Sequence, residues 1–192
     1  MVKAVAKRLA EWIAGPYGIY VVLRSPEAGA ASGVPASEAA RVGPVDADEL
    51  RAASAELMRS QAWYGGPGAM AFAYRDGTEI LGVCVFWFGE RYATRNFWPL
   101  REGEAKLVQI VVVPEARGRG IAGTLIAVAL PAMFRAGFGT CYARVWHSNA
   151  PSMKAFLKAG WTRIAWVAEV FPFRTKRRWR FSRRYRNARP GA

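Results

Sequence analysis

Apolar positions recur along this chain with two periods, and the switches between them outline its elements. Val2, Val5, Leu9, Trp12 and Ile13 fall at helical spacing with Lys3, Lys7 and Arg8 between them, which predicts a short amphipathic helix over 1–14. Gly15-Pro16 stops it, and Tyr17–Leu23 reads as a strand. Residues 26–45, rich in Ala, Gly, Ser and Pro, read as a loop. Asp46-Ala-Asp-Glu49 is a capping-box pattern opening a helix to about Trp63, ended by Gly65-Gly66-Pro67. Two strands follow, Met70–Tyr74 and Glu79–Phe88, joined by the Asp76-Gly77 pair of a tight hairpin. Residues 89–103 form a longer loop carrying Tyr92, Phe97 and Trp98, aromatics suited to a minor core or to a substrate pocket. A strand from Lys106, a helix over about 120–136 containing Pro131, a strand Thr140–Trp146, a helix 149–159 and a strand Thr162–Phe171 complete the pattern. Strands separated by a hairpin and by helices predict a mixed α/β (α+β) fold built on one twisted sheet.

The run Lys106–Val128 organises the rest. Its β-branched strand breaks at Pro114, turns through Arg117-Gly118-Arg119-Gly120 and continues directly as an apolar helix. Glycines let a ligand approach the backbone, and the first turn of a helix offers unpaired N–H groups and a positive dipole end. The combination predicts an anion cradle.

Composition narrows the setting. The chain has 192 residues and a net charge of +14, and nine of its basic residues lie in 170–192, where no acid occurs. This asymmetry points to an anionic partner or to a solvated basic tail. Cys84 and Cys141 lie in apolar strands and read as buried free thiols of a reducing, cytoplasmic setting. With one histidine and no metal-ligand spacing, no metal is expected. No apolar run reaches the ~18 residues of a membrane span, and charges interrupt the N-terminal segment too often for a cleaved leader.

Two segments carry a family resemblance. Val112-Val-Pro114-Glu-Ala-Arg117-Gly-Arg-Gly120-Ile-Ala122 resembles the Arg/Gln-x-x-Gly-x-Gly/Ala acyl-CoA signature of the GNAT superfamily of N-acetyltransferases. Asn149-x-x-Ser152-x-x-x-Phe156-x-x-x-Gly160-Trp161 is similar to the family's Asn-x-x-Ser/Ala … Tyr … Gly-Phe segment. The resemblance covers roughly 68–170. It implies a mostly antiparallel twisted sheet flanked by helices and splayed between the fourth and fifth strands, with acetyl-CoA as co-substrate. It assigns pyrophosphate binding to Arg117, Gly118, Arg119, Gly120, Ile121, Ala122 and Gly123. Pantetheine would pair with the backbone at Ile110, Val111 and Val112, and Asn149, Ser152 and Phe156 would line the cofactor from the later helix. The implied activity is acetyl transfer to a primary amine, on a small molecule, an amino sugar or an aminoacyl group.

The catalytic positions depart from the family pattern. Acetyl transfer requires the amine to lose a proton and the departing thiolate to gain one. The tyrosine that many members use for the second task is Phe156 here, so Ser152, Tyr142 or water would have to serve. The glutamate of the protein N-terminal acetylators is replaced by Arg144, which speaks against that subclass. Glu104, at the start of the fourth strand, and His147 are the candidate bases, with Gln109 and Glu79 as further candidates.

The closing segment has two readings. Arg178-Trp179-Arg180-Phe181 alternates like a basic edge strand. Arg174–Arg186 also interleaves aromatics with basic residues, which suits an anionic membrane surface or RNA. The chain thus divides into 1–14, an acetyltransferase-like domain 15–172 and a basic aromatic segment 173–192. The alternative to an enzyme is a non-catalytic acyl-CoA-binding module docked on such a surface, peripheral at the inner membrane face. A second copy of the chain is a further candidate partner.

Overall fold

The computed structural model describes residues 17–29, 33–93, 97–170 and 179–185. The predicted helix over 1–14 and residues 174–178 and 186 of the basic segment lie outside the described residues. Eight strands form one sheet: β1 (Tyr17–Arg24), β2 (Val42–Pro44), β3 (Ala69–Asp76), β4 (Glu79–Trp87), β5 (Glu104–Val112), β6 (Thr140–Trp146), β7 (Thr162–Val170) and β8 (Trp179–Arg184). Their order is β2-β3-β4-β5-β6-β1-β7-β8, and only β5 and β6 run parallel. The first strand is therefore central, antiparallel to both β6 and β7. Val21, Val22 and Leu23 are buried there, as a strand covered on both faces requires.

Hairpin β3–β4 forms as Asp76-Gly77 predicts, with Gly77 at φ 59°. Helix α5 (Ile121–Arg135) runs uninterrupted through Pro131 and buries Leu125, Ile126, Ala129, Leu130 and Met133 along one face. It lies on β4 where Gly82 leaves room. A Cβ at Gly82 would stand 3.2 Å from both Ile121 Cγ2 and Leu125 Cδ1 and 3.1 Å from the Val111 oxygen. Helix α6 (Ala150–Lys158) packs beside α5.

The opposite face carries short helices α2 (Ala47–Ala52) and α3 (Glu56–Arg59) and the 3-10 turn Ser60–Tyr64. The expected continuous helix over 46–63 is thus broken at Ala53–Ala55. Asp46 caps its first piece as anticipated, accepting from the Glu49 amide at 2.8 Å. Two stretches read as loops hold short elements, α1 (Ala36–Ala39) with β2 in the first and α4 (Gly89–Ala93) in the second. Elements of three to five residues are too short to set up a period in the sequence. Cys84 and Cys141 are buried and unpaired.

Candidate functional site

The sheet parts beside its centre. β5 pairs with β6 from Glu104↔Thr140 to Leu107↔Ala143 and no further, although both strands continue. The Val113 amide bonds the Leu81 oxygen on β4 at 2.9 Å. Strand alternation then turns the backbone of Val111 toward β4 and that of Ile110 and Val112 toward the gap. Of the three residues expected to pair with an extended ligand, Ile110 and Val112 have the required direction. Val111 is used by the sheet. The Val112 oxygen already accepts from Arg117 Nε at 3.2 Å and retains a second lone pair.

The glycine turn lies past the C-terminal end of the same strand. Gly118 and Gly120 both adopt φ 82°, and Gly120 forms the N-cap of α5 with no side chain capping the helix. A Cβ added to Gly118, Gly120 or Gly123 would meet no atom within 4 Å. The first-turn amides of Ile121, Ala122 and Gly123 thus border open space at the positive end of a 15-residue helix. Arg117 and Arg119 are exposed beside it, and Arg119 lies 3.8 Å from Asp76. An uncapped helix, two left-handed glycines, spare strand groups and two guanidiniums fit the pyrophosphate and pantetheine of coenzyme A. Among the described residues no three His, Cys, Asp or Glu side chains gather into a metal site.

On α6, the Asn149 side chain accepts from the Ser152 amide at 3.1 Å and so caps the helix. Phe156 is buried edge-on against Trp161, centroids 5.0 Å apart. Ser152 supplies the only hydroxyl on this helix. Among the candidate bases, Glu104 accepts from the Arg101 amide at 2.8 Å and from the Tyr142 hydroxyl at 3.1 Å. Burial, then Glu104, pushes the Tyr142 hydroxyl up to about 12. His147 is exposed at the end of β6, its Nδ1 3.1 Å from the Ile19 oxygen. Gln109 donates to Gln61 at 2.8 Å, and Glu79 lies exposed at the hairpin.

The face opposite α5 holds a polar and aromatic cluster that the sequence had left scattered. Lys106 is fully buried, its Nζ hydrogen-bonded to the Tyr92 hydroxyl and the Trp98 oxygen and 3.7 Å from the Phe97 ring centroid. Desolvation, helped by the Arg180 and Arg144 charges, lowers its amine to about 5. The ring contacts favour the charged form, but complete burial of the ammonium outweighs them. Tyr92 also accepts from the Phe97 amide at 2.8 Å and the Trp98 amide at 3.0 Å, so Lys106 and Tyr92 together fix this end of the 89–103 loop. Next to them the Tyr20 hydroxyl donates to buried Glu169 at 2.9 Å, and burial with this bond raises it to about 12. Arg180 of β8 lies 3.7 Å from Glu169 and donates to the Phe97 oxygen. Arg144 projects among Tyr20, Phe97 and Trp146, 5.0 to 5.2 Å from the three ring centroids.

Tyr92, Phe97 and Trp98 were legible as loop aromatics. Lys106, Tyr20, Glu169 and Arg180 were not singled out, and only Lys106 leaves a signal, a charge set between Ala105 and Leu107 in a largely apolar strand. A cavity of about 380 Å³ lies elsewhere, between the second half of α5 and the end of α6, lined by Ala127, Leu130, Phe134 and Lys158 among others.

The sequence profile described as the Acetyltransferase (GNAT) family matches residues 43–161. No curated protein matches the sequence. The fold is similar to that of a GNAT-family protein of Novosphingobium aromaticivorans, with 15% identity, a TM-score of 0.58 and coverage of 81% of this chain and 64% of that one. It is also similar to a GNAT-family acetyltransferase of Colwellia psychrerythraea, with 15% identity, a TM-score of 0.55 and coverage of 83% and 58%. A GCN5-related N-acetyltransferase of Sphaerobacter thermophilus has 14% identity, a TM-score of 0.53 and coverage of 98% and 58%. The chain therefore spans less than two thirds of the length of each of these proteins.

Proposed function

Because this chain belongs to the GNAT family of acetyltransferases, we propose that it transfers an acetyl group from acetyl-CoA to a primary amine. The observation that carries this reading is the parting of β5 from β6 after Leu107, on the strand that leads to the uncapped glycine turn. Backbone groups of Ile110 and Val112 would hold the extended part of the co-substrate, and the amides of Ile121–Gly123 with Arg117 and Arg119 its phosphates. Bound acetyl-CoA supplies the acetyl group as an activated thioester.

The chain's own residues divide the remaining work. Glu104 is the proposed destination of the acceptor's proton. It supports this role through its bond to Tyr142, which shares a sheet face with Lys106 by register. Ser152 is the proposed hydroxyl on the cofactor side, since Phe156 has none. His147 is the second candidate for that proton: its Nδ1 meets the Ile19 carbonyl at 3.1 Å, which orients the ring and leaves Nε2 open.

Calorimetric titration with acetyl-CoA tests the cofactor, and thiol release in the presence of an amine panel tests the transfer. Saturable binding is expected, and Gly120→Glu should abolish it by filling the cradle with bulk and negative charge. An unmodified chain that releases no heat with acetyl-CoA overturns the reading.

A second reading concerns where the domain acts. Trp166, Trp179 and Phe181 are exposed on one side of the β7–β8 edge, with Arg183 opposite Trp166. Aromatics interleaved with arginines support docking on an anionic membrane surface.

A further inference from the structure

Arg144 occupies the first β6 position past the last β5–β6 pair, so its backbone stands where the two strands separate. In register it faces Val22 and lies one step along the strand face from Trp146 and Tyr142. This is the face that carries Lys106, Tyr20 and Glu169, on the opposite side of the sheet from α5. Its guanidinium is walled by the rings of Tyr20, Phe97 and Trp146, themselves stacked edge-on, with Tyr20 centroids 6.2 Å from Phe97 and 5.8 Å from Trp146.

The charges around it are already spoken for. Glu169 accepts from Tyr20 and lies 3.7 Å from Arg180, and Glu104 accepts from Tyr142 and the Arg101 amide. Arg144 itself has no carboxylate within ion-pair distance and no hydrogen-bond acceptor among the described residues. The residue is half-buried. A planar fork of five donors, held rigid by three rings, is pre-organised for a carboxylate and loses little freedom on binding one. Aromatic walls lower the local dielectric and strengthen that attraction. One unmatched positive charge calls for one monoanion; a phosphate dianion would need a second free guanidinium, and Arg180 is paired.

Resting on the acetyl-transfer reading, we infer that the acceptor is an amine that also carries a carboxylate, an amino-acid-like small molecule whose carboxylate docks on Arg144. Its amine then reaches toward the gap beyond Leu107. This assigns Arg144 a substrate-binding role at the position where the protein N-terminal acetylators carry a glutamate.

The experiment compares direct binding and turnover of matched ligands by the full chain. Each α-amino acid of an aliphatic, aromatic and basic panel is paired with its amide and its decarboxylated amine. Binding is read by calorimetry with and without coenzyme A, and turnover by thiol release. The free acids should bind the unmodified chain about tenfold to hundredfold tighter than their partners, the worth of a charged hydrogen-bonded pair. In Arg144→Gln that ratio should fall to about one, and in Arg144→Lys it should recover in part, because the charge remains and the fork is lost. If the unmodified chain prefers no acid over its amide, or if Arg144→Gln keeps the preference, the inference is overturned, whatever acetyl-CoA does. If acids bind through Arg144 while acetyl-CoA gives no heat, the carboxylate site stands and the acetyl-transfer reading falls.

Discussion

Lys106 shows how much one residue can set. Its ammonium would be charged in the unfolded chain and is neutral in the fold below its usual pKa, down to about 5. Between roughly pH 5 and the unfolded value near 10.4, the unfolded state binds more protons, so stability rises with pH across that window. Thermal melts of the unmodified protein should therefore move to higher temperature from pH 6 to pH 9. Lys106→Met should flatten this slope and stabilise most at the acid end of the range. Parallel slopes in the two proteins would mean that the buried amine keeps its proton. Glu104 is tested by kinetics. Glu104→Gln should slow acetyl transfer and remove the acidic limb of the pH–rate profile; an unchanged rate and limb would exclude it as the proton's destination.

At the scale of elements, the site depends on how closely α5 lies on β4. Gly82 sets that distance, since a methyl there would press on Ile121, Leu125 and the Val111 carbonyl at once. Gly82→Ala should cost about 1–3 kcal/mol in chemical denaturation. On the proposed reading it should also weaken acetyl-CoA binding, because the displaced residue Ile121 is the first of the helix whose amides would form the cradle. Leu125→Ala removes side-chain volume from the fully buried face of α5 and should cost about 2–5 kcal/mol, with the cradle amides left in position. A Gly82→Ala variant that binds acetyl-CoA as the unmodified chain does would uncouple helix seating from the cradle.

Among the described residues the strands form a single sheet whose two edges are protected differently. At one end β2 is three residues long and finishes in Pro44; at the other β8 carries Arg180, Arg183 and Arg184. Both are devices against edge-to-edge pairing. The arginine edge also adds exposed Trp179 and Phe181, which suit an anionic interface. Co-sedimentation with phosphatidylglycerol vesicles should detect binding that weakens with salt. Arg183→Ala, which shares a face with these aromatics, should lower the partition about fivefold, at about 1 kcal/mol per basic residue. Equal partition onto neutral vesicles, or binding to RNA alone, would reject the membrane reading.

Local chemistry determined a good part of this protein from its sequence alone. The Asp76-Gly77 hairpin, the β-branched central strand, the turn Arg117–Gly120 and the Asn149 cap are each fixed by neighbours a few residues apart, so they were legible one segment at a time. The turn Arg117–Gly120 and the Asn149 segment are also the ones that carry the family resemblance, which is why a cofactor could be proposed from the sequence and the acceptor could not. Tertiary structure decided the rest. The insertion of β1 between β6 and β7 and the parting of β5 from β6 are pairings between distant strands, and no local period encodes them. The assembly of Tyr20, Lys106, Arg144, Glu169 and Arg180 onto one face likewise comes from strand register, which joins residues up to 160 positions apart that the sequence displays only as isolated charges and rings.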